Sequence, residues 1–334
     1  MTLPASVRSA LAATLLALGG CAIIDHAADR REAAAVAAYP PQGRIVEVDG
    51  VPVHYVRQGA GPELVLIHGA SGNLRDMMFD LAPRAAAAGY AVTAFDRPGL
   101  GYTGRLPGTP TGPLAREAES PLEQARLLKR AAAALGIERP IVLGHSYGGA
   151  VALAWALDDL ESPSPAAAAA VVDLAGVAMP WPGPLGPFYR INGGPLGAVT
   201  VPLVAAFVPR SAIEGAIAGT FRPQSAPPGY AEFIGAPLTL RRSSLRANVR
   251  QVNTLRPHVV AMAPLYPRLT LPIEIVHGDA DRTVPLDVHS APLARLAPGA
   301  ALTVLPGVGH MPHHAAPEAA LAAVGRAAAR AGLR

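Results

Sequence analysis

The 334-residue sequence predicts an α/β fold: a mostly parallel sheet with helices on both faces and an inserted, mainly helical lid. Three observations predict it. Short apolar runs alternate with helical stretches, the signature of parallel strands joined by crossover helices. That rhythm breaks between about Val177 and Pro267, in a stretch too long for an ordinary loop. Finally, Gly144-His145-Ser146-Tyr147-Gly148 stands between an apolar run and a helical one, where a sharp strand-to-helix turn belongs.

The elements follow in order. Arg44–Val48 and Val51–Arg57 flank Asp49-Gly50, a hairpin dipeptide, and Pro52 argues that the second strand lies at an edge. Glu63–Ile67 is an apolar β run. Met77–Ala88 fits a helix that Pro83 interrupts, and Tyr90–Phe95 a buried strand. Ser120, Pro121 and Glu123 form a capping box with proline at the first helical position, opening a helix to about Leu135. Ile141–Leu143 is a short strand, Tyr147 to about Leu160 a helix, and Ala169–Leu174 another strand. The last units are Ile273–Val276 (strand), Leu286–Leu296 (helix), Ala301–Leu305 (strand) and Pro317–Ala329 (helix).

Composition narrows the function. Apolar residues make up 51% and charged residues 16%, which is globular composition. The net charge of +4 is spread thinly: all but Lys129 of the 28 basic residues are arginine, and no dense basic run offers a nucleic-acid footprint. No nucleic-acid partner is expected. A single cysteine excludes an intramolecular disulfide and a cysteine-based metal cluster.

That cysteine has a telling position. Arg8, the apolar stretch Ala10–Leu18 and the small residues Gly19-Gly20 describe a secretory signal. Leu18-Gly19-Gly20-Cys21 resembles the lipobox of bacterial lipoproteins, which implies lipidation of Cys21 and an exported protein held at a membrane of the cell envelope. The expected organisation is a signal at 1–21, a linker at 22–42, an α/β core at 43–176 and 268–334, and a lid at 177–267.

The chemistry centres on Ser146. Glycines two residues to either side relieve crowding at a sharp turn, and the helix that begins after it offers free N–H groups to an oxyanion. A serine hydroxyl needs a base, and His310 follows Gly307-Val308-Gly309 on the loop after the last strand, at the sheet edge where ligand groups collect. His313 and His314 are its rivals and are expected to face solvent or the lid. His277-Gly278-Asp279-Ala280-Asp281 offers two carboxylates to orient the imidazole. Asp281 suits the reach of the loop, with Pro285 starting the following helix and Asp279 capping its own turn.

With Ser146, Asp281 and His310 in this chain order, the sequence resembles the α/β-hydrolase superfamily, in the lid-bearing branch of esterases and lipases, over residues 43–334. His68-Gly69-Ala70-Ser71-Gly72 and Asp96-Arg97-Pro98-Gly99-Leu100-Gly101 extend the resemblance. It implies an α/β-hydrolase fold and an oxyanion hole built from the Ala70 and Tyr147 N–H groups, with His68 structural. It also implies hydrolysis of a carboxylic ester through an acyl-enzyme, without metal or cofactor. Serine at the nucleophile position disfavours epoxide and halide chemistry, where relatives use aspartate. Carbon–carbon or amide hydrolysis by the same triad, and a non-catalytic binding lipoprotein, are the alternatives. The insertion carries Pro180-Trp181-Pro182, Phe188-Tyr189, Val199–Val208 and Phe233-Ile234, so an apolar inner face is expected, with a small-molecule ester substrate whose acyl group is short to medium or whose ester is bulky and apolar. Its arginines (Arg241, Arg242, Arg246, Arg250 and Arg256) are expected to form a solvated face.

Overall fold

The computed structural model describes residues 5–162 and 164–334, so positions 1–4 of the expected signal lie outside the described residues. Eight strands form one sheet: β1 (Arg44–Val48), β2 (Val51–Gln58), β3 (Glu63–Ile67), β4 (Ala91–Phe95), β5 (Ile141–His145), β6 (Ala170–Leu174), β7 (Ile273–Gly278) and β8 (Ala300–Leu305). Their order is β1-β2-β4-β3-β5-β6-β7-β8. The β1–β2 hairpin and the β2–β4 pairing are antiparallel, and every other pairing is parallel.

Alternation within the strands builds two cores. Val65, Ile67, Val142 and Val171 point to one face and Leu64, Leu66, Ile141, Leu143 and Val172 to the other. Helices α2 (Arg75–Phe79), α3 (Leu81–Ala87), α4 (Pro121–Ala134) and α5 (Tyr147–Asp159) follow β3, β4 and β5. Five more, α6 (Pro187–Asn192), α7 (Gly197–Phe207), α8 (Arg210–Phe221), α9 (Tyr230–Phe233) and α10 (Arg242–Met262), lie in the insertion between β6 and β7. Then come α11 (Ser290–Leu296), α12 (Pro312–Ala315) and α13 (Pro317–Arg330). The fully buried Leu127, Leu128 and Trp155 of α4 and α5 fill the first core, while Leu81 of α3 and Val324 of α13 fill the second.

Most elements fall where the sequence places them, and the capping box forms: Ser120 Oγ accepts the Glu123 N–H at 3.2 Å while Glu123 Oε2 accepts the Ser120 N–H at 2.7 Å. The exceptions have physical causes. Pro52 lies in β2, an inner strand, yet β4 pairs only with Tyr55–Gln58, so the proline keeps an edge-like position and its carbonyl accepts the Gly104 N–H. The helix expected over Met77–Ala88 is two helices that break at Asp80 (φ −142°), which spares the carbonyl of Phe79 from the Pro83 ring. Pro285 starts a turn that accepts the N–H groups of Val288 and His289, and the helix begins only at Ser290.

The largest departure is at the N-terminus. Residues 22–38 of the expected linker are helical, part of a 34-residue α1 (Ala5–Ala38). Alanine is the best helix former, and here the helix has a partner. Ala28 is buried against Ala205 and Ala206 of α7. Asp25, Asp29 and Glu32, one face at helical spacing, all pair with Arg242 of α10. The Arg31 guanidinium donates to the Val208 carbonyl at 2.8 Å. Among the described residues, no single helix is long and apolar enough to cross a membrane.

The solvated arginine face is also corrected. Arg250 is buried and donates to the carbonyl of Gly112 at 2.7 Å, Arg256 donates to that of Trp181 at 3.0 Å, and Arg241 donates to that of Gly101. Arg250 and Arg241 thus tie the insertion to the loops beneath it, whereas the exposed Arg256 bonds within the insertion.

Candidate active site

Ser146 sits at the carboxyl end of β5, where the chain turns into α5 with φ 54° and ψ −117°. This conformation is rare for a residue with a side chain and costs about 1–3 kcal/mol, held in place by the packing around it. The flanking glycines explain how the turn fits. A Cβ on Gly144 would lie 2.1 Å from the Gly148 carbonyl oxygen, and one on Gly148 would lie 2.2 Å from that of Ile67. No side chain survives at either position.

The three sequence-predicted polar residues meet at this edge of the sheet. His310 Nε2 lies 3.0 Å from Ser146 Oγ, and His310 Nδ1 lies 2.7 Å from Asp281 Oδ2. All three are buried. Asp281 Oδ1 accepts the N–H groups of Thr283 (2.8 Å) and Val284 (3.0 Å). His277 Nε2–H donates to the Val284 carbonyl at 2.8 Å and reaches Asp281 Oδ2 at 3.1 Å. Burial alone would raise the Asp281 carboxyl, but the hydrogen bonds from His277 and His310 outweigh it and hold it well below the usual carboxylate range. Asp281 is therefore ionised, and its charge favours a proton on His310 Nδ1. Asp279 does not cap its own turn; it accepts the Gly307 N–H at 2.6 Å and joins the two loops.

Ala70 and Tyr147 flank the same point, Ala70 on the loop after β3 and Tyr147 as the first residue of α5. Among the described residues, neither backbone N–H is taken by a protein acceptor. The loop carrying Ala70 is held from outside the motif. His68 Nδ1–H donates to the Gly69 carbonyl at 2.8 Å, while its Nε2 accepts the Arg97 N–H at 3.0 Å. The Arg97 guanidinium donates to the same Gly69 carbonyl at 3.1 Å. That carbonyl and the Ala70 N–H belong to one planar peptide, so fixing the oxygen aims the N–H. From α10, Asn248 Oδ1 accepts the Ser71 N–H at 2.7 Å and its Nδ2 donates to Ser71 Oγ at 2.8 Å.

Arg97 and Asn248 escape the sequence reading. Arg97 is fully buried with no carboxylate in ion-pair contact among the described residues. It bonds Gln124 (3.0 Å) and Gln251 (3.1 Å) and stacks 4.1 Å from the Tyr147 ring centre. Burial pushes its pKa down to about 10, so it remains charged at neutral pH. Arg97→Met is expected to lower kcat on the order of 10² while leaving KM nearly unchanged, because a misaimed N–H fails the transition state more than the ground state. Equal losses in total activity and folding yield, with the surviving enzyme at full kcat, would contradict this.

His313 and His314 do not face solvent. Both side chains are buried behind His310, and His314 packs between Phe221 and Tyr230 of the insertion. Asp76 is their common partner: it lies 2.8 Å from His314 Nε2, accepts the Tyr230 hydroxyl at 2.8 Å and lies 3.4 Å from His313 Nε2. Burial opposes its charge, but the two histidines outweigh this and hold the carboxyl well below its usual range. His145 Nε2–H donates to the His310 carbonyl at 2.8 Å, which anchors the loop that carries His310. Asp76, His145 and His313 present ligand-type atoms within 4.8 Å of one another, the only such group among the described residues.

One buried acid lies apart from the triad. Asp173 on β6 has no side-chain hydrogen-bond partner among the described residues, only the Gly176 backbone beside it, and burial raises its pKa to about 7. A carboxyl raised in the folded state stabilises fully below its unfolded pKa and loses that contribution as pH rises through about 7. Asp173→Asn is therefore expected to raise Tm by several degrees near pH 8, with the gain vanishing near pH 4. An equal gain at both would exclude titration of Asp173 as the cause.

Residues 64–324 match the Alpha/beta hydrolase family, and the chain belongs to that family. It is 40% identical, over 132 residues, to the dihydrolipoyllysine-residue acetyltransferase component of the acetoin cleaving system of Cupriavidus necator. That match covers 39% of this chain and 31% of the relative, so the chain spans about a third of that relative's length. An α/β hydrolase fold protein from Burkholderia ambifaria superposes with a TM-score of 0.66 at 26% identity, covering 84% of this chain and 96% of its own. A thermophilic esterase from Thermogutta terrifontis shares the fold, with a TM-score of 0.65 at 19% identity and coverage of 86% and 99%.

Proposed function

We propose that this hydrolase cleaves carboxylic esters with an apolar acyl or alcohol part, through Ser146, His310 and Asp281. The observation that carries the reading is the continuous line of contacts from Ser146 Oγ to His310 (3.0 Å) and from His310 to Asp281 (2.7 Å). Ser146 attacks the carbonyl carbon as His310 Nε2 takes its proton, and the oxyanion leans on the N–H groups of Ala70 and Tyr147. The protonated His310 then gives its proton to the leaving alcohol. Water, deprotonated by His310, attacks the acyl-enzyme, and collapse of the second oxyanion releases the acid and restores Ser146.

An apolar substrate is supported by Trp181, Leu185 and Tyr189, which pack from the insertion onto the core together with Ala70. Aryl esters of graded acyl length test it. Short to medium chains are expected to be cleaved fastest, and equal rates on a small polar ester would remove the apolar-pocket reading. At the other end of the chain, the exposed Cys21 is the proposed lipidation site, holding the enzyme at an envelope membrane. Mass spectrometry of the purified N-terminus would show either a diacylated cysteine or a free thiol.

A further inference from the structure

The insertion exposes more apolar surface than its expected inner face accounts for. Along α7 and its N-cap, Leu196 (63% exposed), Val199 (63%), Leu203 (38%) and Phe207 (55%) recur every three or four residues, which puts them on one face of the helix. On neighbouring α6, Phe188 and Ile191 are exposed as well. The opposite side of α7 is already used: Val201 packs on Leu245 and Val249 of α10, and Ala205 and Ala206 on Ala28 of α1. A helix that is apolar all round belongs in a buried setting, yet one side of this helix has no partner among the described residues.

Two further observations identify what covers it. From Val177 to Ile213 the charged residues are Arg190 and Arg210 alone, and Arg210 is paired with Glu214 and Glu232 just beyond the stripe. Arg190 is exposed beside Phe188 and Ile191 and has no ion-pair partner among the described residues. An apolar stripe that carries an unpaired arginine complements an anionic lipid surface. The stripe is also continuous with the N-terminal segment. The helix that packs along α7 is α1, and α1 carries Cys21, the proposed lipidation site, towards its start.

We infer that the exposed face of α6 and α7 lies in the interfacial layer of an anionic bilayer, so that the insertion is a second membrane contact beside the N-terminal anchor. This rests on the anchor reading of residues 1–21 and is independent of the ester chemistry. Residues such as Val199 and Phe207 sit among the acyl chains, while Arg190 meets lipid phosphate. The N-terminal helix, held to α7 by Arg31 and the Ala28 contact and to α10 by Arg242, keeps the insertion at a fixed height on the membrane.

The test uses the full chain with Cys21 intact, purified and reconstituted into vesicles of equimolar phosphatidylethanolamine and phosphatidylglycerol, then isolated by flotation. A solvatochromic amino acid replaces Val199, Phe207 or, as a control on the far side of the fold, Ala329. The expected result is blue-shifted emission at 199 and 207, quenched severalfold more strongly by nitroxide-labelled lipid than at 329. Floating protein whose label at 199 stays in water overturns the proposal but keeps the anchor, whereas protein that does not float overturns both. An equal blue shift without vesicles, with a dimer by sedimentation, assigns the stripe to a second copy of the chain and also overturns the proposal.

Discussion

Replacing Ser146 by alanine is expected to lower kcat on an aryl ester by about 10⁴–10⁶ while leaving the fold intact. The side chain accepts no capping bond for α5, and its contact with His310 is its only side-chain hydrogen bond among the described residues. Removing the hydroxyl therefore removes the nucleophile and little else. The strained backbone at φ 54° is no harder for alanine than for serine, so Tm should hold or rise slightly. Titration of the active fraction, read beside the melting curve, separates the two effects. A variant that melts early and loses activity in proportion would assign Ser146 a structural part only.

The second large effect is expected at Asp281, where asparagine should lower kcat by about 10⁴. Geometry dictates the direction. The Thr283 and Val284 N–H groups already point at Oδ1, so an asparagine there keeps its carbonyl oxygen on that side. Its NH₂ must then face His310 Nδ1 and the Nε2–H of His277. His310 is driven to carry its proton on Nε2, and it can no longer accept one from Ser146. A donor pointed at the His277 N–H should also cost stability, because two buried donors then compete for the Val284 carbonyl. Near-native kcat in Asp281→Asn would show that another group orients His310. Asp173 cannot be that group by hydrogen bonding, since neither of its oxygens reaches a side-chain partner among the described residues.

How much of this was legible in the sequence depends on how far a signal travels along the chain. The turn at Ser146 is a local problem, and its solution, a glycine two residues to each side, is written within five residues. The strands show themselves because both their faces are apolar, and the Ser120 helix because its cap lies within three residues of its first turn. The bracing of the loop that carries Ala70 is different. Arg97 meets Gly69, Gln124 and Gln251, and Asn248 meets Ser71, contacts that cross from one strand loop to the insertion. No spacing records them.

The N-terminal helix had a readable signal that composition obscured. The alanines and Pro40-Pro41 suggested a spacer, yet Asp25, Asp29 and Glu32 repeat at helical spacing and needed a cationic partner, which Arg242 supplies across more than 200 residues. Likewise, the apolar run Val199–Val208 read as a pocket lining because sequence alone cannot say which side of a helix is covered. In the structure Val201, Val204, Ala205 and Ala206 turn inward from it, while Val199, Leu203 and Phe207 form the exposed face proposed as a lipid contact.

The most direct measurement of the central claim is covalent capture by an aryl phosphonate followed by peptide mapping of the full chain. The account predicts one adduct per chain, on the peptide containing Ser146, forming quickly in the native protein and orders of magnitude more slowly in His310→Ala. An unlabelled protein with its fold intact, or an adduct on a different serine, would contradict the assignment of Ser146 as the nucleophile and leave this hydrolase fold as a binding surface.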